Sequence, residues 1–180
     1  PGGISDLILT LGAALPEEDY DHPLPGVWVH KSARWRPRPI WEHPASSGRR
    51  RRSATEPLSE VPLWWGASCV VGNSVELKNV ILFDGVQTPH YNYVGDSILG
   101  YKSHMGAGSI TSNVKSDKTL VVIKNGEEKI ETGRKKVGAI LGDYVEVGCN
   151  SVLNPGTVIG APTRTYIPGA CVRGRPSPCP

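Results

Sequence analysis

Apolar residues recur at every sixth position along much of the chain. The members of this register are Trp65, Val71, Leu77, Leu99, Met105, Leu141, Val147, Leu153 and Ile159, and Thr165 and Cys171 continue it with weaker residues. A period of six matches neither the turn of a helix nor the two-residue alternation of an ordinary strand. It predicts a solenoid with three short faces per coil, each face adding one inward side chain to a continuous apolar column.

Two further elements are predicted outside the repeat. The sequence from Ile4 to Tyr20 contains DLILTLGAAL, which predicts a short helix in an amino-terminal segment of residues 1–25. The six-residue register breaks between Asn113 and Val137, where TLVVIKNGEEKIETG predicts a β-hairpin inserted at residues 115–136. Asn125 and Gly126 suit a two-residue type I′ turn at the tip of this hairpin.

Residues 34–65 fit neither pattern. They are rich in Arg and Pro, contain four of the five Trp residues and show no hexads before Trp65. One interpretation is a basic arm for nucleic acid or anionic surfaces, and another is a disordered linker. A third hypothesis is translation out of frame, because plausible codons read with one constant offset spell hexapeptide-like sequence across the stretch. The encoding DNA tests this idea, since codons that fail to restore hexads would reject it. We expect residues 34–64 to be loop-like and poorly packed.

Composition narrows the class of protein. A chain of 180 residues suffices for one domain, and 21 Gly with 16 Pro favour short strands and turns. The four positive charges of Arg49–Arg52 exceed the net charge of +3, so the rest of the chain is near neutral. The charge balance therefore predicts no nucleic-acid partner. No apolar run has transmembrane length and no signal peptide is visible, so we expect no membrane partner. Because the chain begins at Pro1 rather than Met, we expect it to be a fragment.

The four cysteines carry little information about metals. Cys69, Cys149, Cys171 and Cys179 form no CxxC pair and have no metal-ligand spacing. This usage favours reduced thiols in a cytoplasmic protein and predicts no metal site.

Five motifs within the repeat are far more specific than the hexads themselves. They are VELKN (Val75–Asn79), TPHYNYVGDSILG (Thr88–Gly100), MGAGSITSN (Met105–Asn113), TGRKKVGAILGD (Thr132–Asp143) and VGCNSVLNPGTVIG (Val147–Gly160). Together they resemble the hexapeptide-repeat acetyltransferase half of bifunctional sugar-1-phosphate nucleotidylyltransferase/acetyltransferases. GVWVHKSA, residues 26–33, resembles the first rung of that family's coil. No Gly-rich nucleotide-binding loop occurs, so the nucleotidylyltransferase half is absent from this chain.

The resemblance has consequences for architecture and partners. It implies an all-β fold, a left-handed parallel β-helix over residues 66–174 that carries the hairpin, and a tail at residues 175–180. It also implies a homotrimer with active sites at subunit interfaces, small-molecule substrates, and acetyl-CoA as co-substrate.

Acetyl transfer to a sugar amine needs a base near the amine and groups that hold the sugar phosphate. His90 is the candidate base, because imidazole titrates near neutrality and the residue lies in a loop that breaks the register. Glu76 and Lys78 share one side of a strand, and the resemblance places them at the substrate amine and phosphate. It also implies that Tyr93 hydrogen-bonds the sugar and that Asn113 touches the sugar or the acetyl group. Each has a structural alternative as a loop histidine, an exposed ion pair, a packing residue or a turn former.

Some candidates depart from the family pattern, and others have a structural role as an alternative. His104 sits where better-known members place a substrate-binding Asn, and Val114 follows Asn113 where they have Tyr. Sugar selectivity and the acceptor atom are therefore open, and His104 stays a substrate-binding candidate. Cys149 occupies a position that lines the acetyl-CoA groove in the family, or else it is a buried thiol. Lys115 and Lys136 flank the hairpin and could reach coenzyme A phosphates, or else they form a solvated face.

Three functions follow, in order of preference. The first is an acetyl-CoA-dependent acetyltransferase acting on an amino-sugar 1-phosphate such as glucosamine 1-phosphate. Its activity is expected to be reduced, because the family's phosphate-gripping Arg falls in the defective stretch. The alternative is a non-catalytic trimerising or regulatory module that binds a sugar phosphate or sugar nucleotide. The third is a zinc enzyme of the β-helical carbonic anhydrase kind, which ranks low because only His90 and His104 lie in the repeat.

Overall fold

The computed structural model describes residues 3–35, 63–125, 127–162, 164–165 and 171–172. The arginine run, the codon-offset hypothesis for residues 36–62, and the tail at 175–180 all lie outside these residues. The inward placement predicted for Thr165 and Cys171 lies outside the described side chains.

The described chain is mostly strand with one α-helix, in agreement with the predicted all-β class. The helices are α1 (Ile4–Gly12) and a short 3-10 turn (Glu17–Asp19). The strands are β1 (Tyr20–Asp21), β2 (Val27–His30), β3 (Arg34–Trp35), β4 (Leu63–Trp65), β5 (Val70–Asn73), β6 (Glu76–Leu82), β7 (Gln87–His90), β8 (Tyr93–Leu99), β9 (His104–Met105), β10 (Ile110–Thr111), β11 (Val122–Asn125), β12 (Glu128–Glu131), β13 (Ala139–Leu141), β14 (Glu146–Val147), β15 (Val152–Leu153), β16 (Thr157–Ile159), β17 (Arg164–Thr165) and β18 (Cys171–Val172). None of the described helices is long and apolar enough to cross a membrane.

Helix α1 begins and ends for local reasons. The Asp6 carboxylate accepts a hydrogen bond of 2.9 Å from the Gly3 N–H, which satisfies one of the free amides of the first turn. Within the helix, the side chain of Ile8 is fully buried. At the other end, a Cβ on Gly12 would lie 2.4 Å from the Trp28 ring, so only glycine allows this approach. The helix therefore packs against the first parallel strands.

Parallel pairing stacks the strands in three rows. The first row is β3, β5, β7, β9, β14 and β17. Strands β6 and β8 each contribute to both other rows, because they pair over 76–78 with 93–95 and again over 80–82 with 97–99. Between these segments Asn79 and Asp96 turn the chain at φ of 56° and 46°. The second row continues through β10, β15 and β18, and the third contains β2, β4, β13 and β16.

The spacing of paired residues defines the coil. Leu63 pairs with Val80, which pairs with Ser97, so these coils are each one residue short of three hexads. Ala139 pairs with Thr157, and this coil is three full hexads long. The hairpin of β11 and β12 leaves the stack at a corner, and Ile98 pairs with Ile140 across it. Inserted sequence therefore does not disturb the pairing of the coils on either side.

The core consists of the six-residue register and a second set of positions. All nine apolar members of the register from Trp65 to Ile159 are buried, as the period predicts. A second inward residue, which the hexads did not predict, lies two positions before each of them. The second set is Leu63, Cys69, Val75, Ser97, Ser103, Ala139, Val145, Ser151 and Thr157; Val75 is partly buried, the others are buried, and most of them are small. Small side chains at these sites leave room for the aliphatic column, where each fully buried Leu contributes about 1.5–3 kcal/mol.

Two boundaries differ from the sequence prediction. Both ends of the irregular stretch 34–65 are strands, because Arg34–Trp35 pairs with β5 and Leu63–Trp65 pairs with β2 and β6. Leu63 is buried, so coil pairing and core burial extend further than the hexads indicated. In the hairpin, Asn125 pairs with Glu128 and is the last residue of β11. The expected turn at Asn125 and Gly126 is therefore one residue out of register, with Gly126 itself outside the described residues.

Candidate functional site

The predicted site residues concentrate around one corner of the coil. His90 is the last residue of β7 in the first row, and Tyr93 is the first residue of β8 in the second row. The register of β6 and β8 places Glu76 beside Tyr93 and Lys78 beside Gly95. The side chains of Glu76 and Lys78 are exposed, while Leu77 between them is fully buried. One strand edge thus presents a carboxylate and an ammonium outward, next to the phenol of Tyr93.

A buried amide holds the corner that presents His90. The Oδ1 atom of Asn92 accepts the His90 backbone N–H at 3.1 Å, and its Nδ2 donates to the Gly106 carbonyl at 2.8 Å. The same Nδ2 donates to the Ser109 carbonyl and hydroxyl, both at 3.1 Å. The His90 carbonyl accepts from the Gly108 N–H at 3.1 Å. The backbone on both sides of the imidazole is therefore fixed, while the side chain is exposed.

Tyr93 and Asn113 are brought into contact, as a shared binding role requires. The Asn113 Nδ2 donates to the Tyr93 hydroxyl at 3.3 Å and to the Asp96 Oδ2 at 2.6 Å. Gly95 makes this possible, because a Cβ there would lie 2.6 Å from the Tyr93 hydroxyl and 2.9 Å from the Asn113 Nδ2. The two polar side chains thus converge over a position that has no side chain, and this position is paired with Lys78.

The phenol of Tyr93 stays protonated over a wider pH range than usual. Partial burial, followed by the nearby carboxylate of Glu76, raises the pKa of Tyr93 above its ordinary value of 10.0. The hydrogen bond from Asn113 acts in the opposite direction. At neutral pH the group is therefore a hydroxyl that can donate a proton in a hydrogen bond.

His104 is not joined to this cluster. It lies on β9 beside Gln87, and its Nδ1 is 2.9 Å from the Oε2 of Glu146 on the next coil. Gln87 precedes His90 by three residues, which separates the two histidines by about 10 Å along the strand direction. The substrate-binding role predicted for His104 thus stays a prediction, in a position where its ring already has a carboxylate partner.

The predicted acetyl-CoA residues lie at two places. Lys115 donates to the Thr119 hydroxyl and lies 3.3 Å from the Asp117 carboxylate, and both ends of this ion pair are exposed. Lys136 forms an antiparallel bridge with Val114 at the base of the hairpin, and its side chain is exposed. Cys149 is an exposed free thiol rather than a buried one.

The position of Cys149 relates it to the His90 corner. The Asn150 N–H donates to the Ala107 carbonyl, and the Gly108 N–H donates to the His90 carbonyl. Two strand spacings of about 4.8 Å therefore separate Cys149 from His90 along the same corner. A Cβ on Gly106 would lie 2.6 Å from the Cys149 backbone nitrogen, so the intervening coil passes close to the backbone of Cys149. In the described part of the chain, no three His, Cys, Asp or Glu residues group as metal ligands.

Comparison with known proteins identifies the relatives. No profile of a known protein family matches the chain. A bifunctional sugar-1-phosphate nucleotidylyltransferase/acetyltransferase of Sulfurisphaera tokodaii is 39% identical over 102 residues, which is 57% of this chain and 25% of that protein. The family resemblance is confirmed. Proteins named bifunctional protein GlmU match too, from Methanococcus aeolicus (41% identical, covering 51% of this chain and 22% of that protein) and Methanocaldococcus jannaschii (35% identical, 58% and 25%). The chain spans about a quarter of the length of these relatives.

The resemblance to bifunctional nucleotidylyltransferase/acetyltransferases did not lead to every residue of the cluster. Asn79, Asp96 and the buried Asn92 all contact predicted site residues or their neighbours. Asn92 carries a recognisable signal, since a polar amide stands two positions before the buried Val94, where the corresponding position elsewhere holds Ser, Thr, Ala, Val, Cys or Leu. The pairing of Asn79 with Asp96 depends on the coil register of β6 against β8 and could be found only once that register is known.

Proposed function

We propose that this chain transfers an acetyl group from acetyl-CoA to the amino group of a sugar 1-phosphate such as glucosamine 1-phosphate. The observation that carries the proposal is the convergence of Tyr93 and Asn113 over Gly95, beside the exposed Glu76 and Lys78. A cation, a carboxylate, a hydroxyl and an amide on one surface match the phosphate, amine and hydroxyls of an amino-sugar phosphate. The similarity to relatives named as acetyltransferases supports the same reading.

Each side chain has a role suited to its chemistry. Lys78 carries the positive charge that a sugar phosphate requires, and Glu76 offers an acceptor to a protonated or neutral amine. Tyr93 and Asn113 hydrogen-bond the sugar. His90, one corner away from Tyr93, is the proton acceptor, because a neutral imidazole accepts a proton near pH 7.

The reaction is an acyl transfer that balances without any further reagent. The substrate nitrogen attacks the thioester carbonyl carbon, a C–N bond forms, and the C–S bond breaks. His90 accepts the proton that the nitrogen loses, and that proton leaves with the coenzyme A thiolate. General base catalysis of this kind contributes about 10²–10⁴-fold in rate.

The coenzyme A portion of the donor fits the corner that carries Cys149. The Cys149 thiol is exposed, and Cys149 lies at the same corner as His90, two coils away. Lys136 offers an exposed charge for phosphate groups at the base of the hairpin. Lys115 has an acidic neighbour and is the weaker candidate, since a phosphate would have to displace Asp117.

The proposal extends to architecture. Three strand rows, coils close to three hexads in length and inward residues at every sixth position support a parallel β-helix, and the family resemblance adds that its hand is left. Flat faces of this kind can pack around a three-fold axis, so we propose a trimer. The exposure of His90, and of Tyr91 at 62%, is compatible with a neighbouring subunit that completes the site.

A non-catalytic binding module is the second candidate. Two groups expected to face ligands are instead engaged within the chain, since His104 contacts Glu146 and Lys115 contacts Asp117. A module that binds a sugar phosphate would need Lys78, Tyr93 and Asn113 but not His90. This difference separates the two functions.

The decisive experiment is thiol release from acetyl-CoA with glucosamine 1-phosphate, comparing wild type with His90→Ala. We expect kcat to fall by about 10²–10⁴-fold in the variant, while binding of the sugar phosphate by calorimetry is retained. Gln87→Ala is the matched control, because Gln87 is an exposed residue on the same strand and has no role in the proposed site.

The outcomes separate the candidates. Turnover that His90→Ala abolishes and Gln87→Ala keeps would support the acetyltransferase. Binding of the sugar phosphate without turnover in the wild type would favour the non-catalytic module. Turnover that His90→Ala leaves unchanged would remove His90 as the base.

A further inference from the structure

We propose that Asp96 is a positioning residue that fixes which site groups donate and which accept hydrogen bonds. This inference rests on the proposed function, because it concerns how Tyr93 and Asn113 read the sugar. Its basis is a continuous chain of side-chain hydrogen bonds that runs from helix α1 to the Tyr93 hydroxyl and has the Asp96 carboxylate at its centre.

Every hydrogen bond in this chain has a defined direction. The Ser5 hydroxyl donates to the Asn79 Oδ1 at 2.8 Å, and the Asn79 Nδ2 donates to the Asp96 Oδ1 at 2.6 Å. From the other side, the Asn113 Nδ2 donates to the Asp96 Oδ2 at 2.6 Å. An ionised carboxylate can only accept, so both amides must turn their NH₂ groups towards it.

The hydrogen-bond directions that Asp96 imposes extend to the exposed groups of Asn113 and Tyr93. One Asn113 N–H is used by Asp96 and the other by the Tyr93 hydroxyl oxygen. Among the described residues none donates to the Asn113 Oδ1, which is therefore left as an acceptor for a ligand. Because the Tyr93 oxygen accepts from Asn113, its own proton is available for donation. The site thus offers one acceptor and one donor side by side.

Asp96 is held so that it can impose this order. Its backbone lies at φ of 46°, a conformation that Asn and Asp tolerate better than most residues. Its carbonyl accepts the Gly138 N–H at 2.8 Å, and the Asn113 carbonyl accepts the Val137 N–H at 3.0 Å. Both backbones are thereby tied to the chain segment that leaves the hairpin. The raised pKa of Tyr93 keeps its donor proton in place at neutral pH.

The arrangement predicts which substrate groups can form hydrogen bonds with Asn113 and Tyr93. The Asn113 Oδ1 selects an N–H or O–H, which an amino sugar supplies from its amine or an adjacent hydroxyl. The Tyr93 hydroxyl selects a neighbouring oxygen acceptor. A substrate with the opposite order would leave the Asn113 Oδ1 and the Tyr93 hydroxyl without partners in the complex, which costs binding free energy.

The test is Asp96→Asn in the full chain, because an asparagine keeps the shape but can donate as well as accept. We expect the KM for glucosamine 1-phosphate to rise about tenfold or more, as the loss of a hydrogen bond to a charged group implies. The KM for acetyl-CoA is expected to stay within about twofold of the wild-type value, since the substitution affects only the groups proposed to bind the sugar. Asp143→Asn is the matched control, because Asp143 accepts the Tyr101 N–H at 2.8 Å at a different corner.

Two measurements keep the inference testable apart from activity and folding. Side-chain amide exchange by NMR should show the Asn113 NH₂ protected in wild type and exposed in Asp96→Asn, with no such change in Asp143→Asn. If Asp96→Asn does not fold, Ser5→Ala weakens the same chain from its far end. It should raise the sugar KM by about twofold to fivefold.

The outcomes distinguish this inference from the proposed function. A wild type with no turnover, but with the expected amide signature and weaker sugar-phosphate binding in Asp96→Asn, would refute the enzyme and support the positioning role. Equal effects of Asp96→Asn and Asp143→Asn on the sugar KM would overturn the inference. So would an unprotected Asn113 amide in the wild type.

Discussion

Asn92 shows how a buried side chain can set the direction of an exposed one. Its amide binds two carbonyls and a hydroxyl of the next coil and accepts the His90 N–H. The Glu76 N–H in turn donates to the Asn92 carbonyl at 2.9 Å. A single residue therefore fixes the corner that carries the candidate base and joins it to the strand that carries the carboxylate.

Two cysteines allow a prediction at the scale of single residues. Burial raises the pKa of the Cys69 thiol to about 11, so Cys69 stays a protonated and unreactive thiol below that pH. Cys149 is exposed at the corner proposed for coenzyme A. We expect iodoacetamide at pH 8 to modify Cys149 and to spare Cys69 in the folded protein. Saturating coenzyme A should slow the labelling of Cys149, which peptide mapping measures.

Cys69 serves as the control within the same molecule. It should become reactive only in denaturant, whether or not coenzyme A is present. Labelling of Cys149 at the same rate with and without coenzyme A would count against the assigned corner.

The sequence identifies residues that belong to a repeated motif, but it does not reveal contacts between residues of different elements. Tyr93 and Asn113 were named from motifs, and the structure brings them into contact. Asn79, Asp96 and Ser5 were not named, because their contacts join a helix to two different coils. Such contacts depend on the stacking register and on how α1 packs, neither of which a six-residue period specifies.

At the scale of elements, the base of the hairpin is anchored by a buried apolar side chain. Val121 is 1% exposed, and its Cγ1 lies 2.7 Å from where a Cβ on Gly156 would be. Its carbonyl accepts the Thr132 hydroxyl at 2.6 Å. Every described side chain of β12, by contrast, is exposed. The hairpin is therefore anchored at its base and solvated towards its tip.

This difference predicts unequal effects on stability. We expect Val121→Ala to lower the free energy of unfolding by about 1–3 kcal/mol, because it removes buried methyl groups beside a rigid turn. Ile130→Ala should change it by less than about 0.5 kcal/mol, since Ile130 is 45% exposed. Urea denaturation followed by circular dichroism compares the two. Equal losses would mean that β12 is packed against something, such as another subunit.

The elements themselves were predictable to different degrees. Both the helix in DLILTLGAAL and the hairpin are present, because local pattern and turn residues largely determine them. The hairpin register was missed by one residue, since Asn-Gly favours a turn but cross-strand pairing decides where it falls. The strands at Arg34–Trp35 and Leu63–Trp65 were missed because their partners, not their sequence, define them.

At the scale of the whole molecule, the proposed trimer can be measured directly. Light scattering after size exclusion should give the mass of three chains of 19.4 kDa each. If the site lies between subunits, the activity per chain should fall when dilution dissociates the trimer. A monomeric mass at a concentration that retains full activity would contradict both statements.

The hexads predict the buried core of the molecule better than its handedness or its assembly. The apolar column from Trp65 to Ile159 is buried throughout, because a period of six leaves these residues no other common face. The second inward position was missed, since Ser and Thr there look polar in sequence although they are buried. Hand and assembly are not encoded in the period and enter only through the family resemblance.

Pairing across interruptions has a consequence for how such a protein can change over evolutionary time. Ile98 pairs with Ile140 although the whole hairpin lies between them in the sequence, and Val29 pairs with Trp65 although the Arg- and Pro-rich stretch does. The hairpin shows that extra sequence can leave the stack at a corner without disturbing the pairing of the coils. A lineage can try new loops at such a corner while the stacked coils retain their pairing. Corners are where novelty is tolerated, and in this protein the candidate base also lies at one.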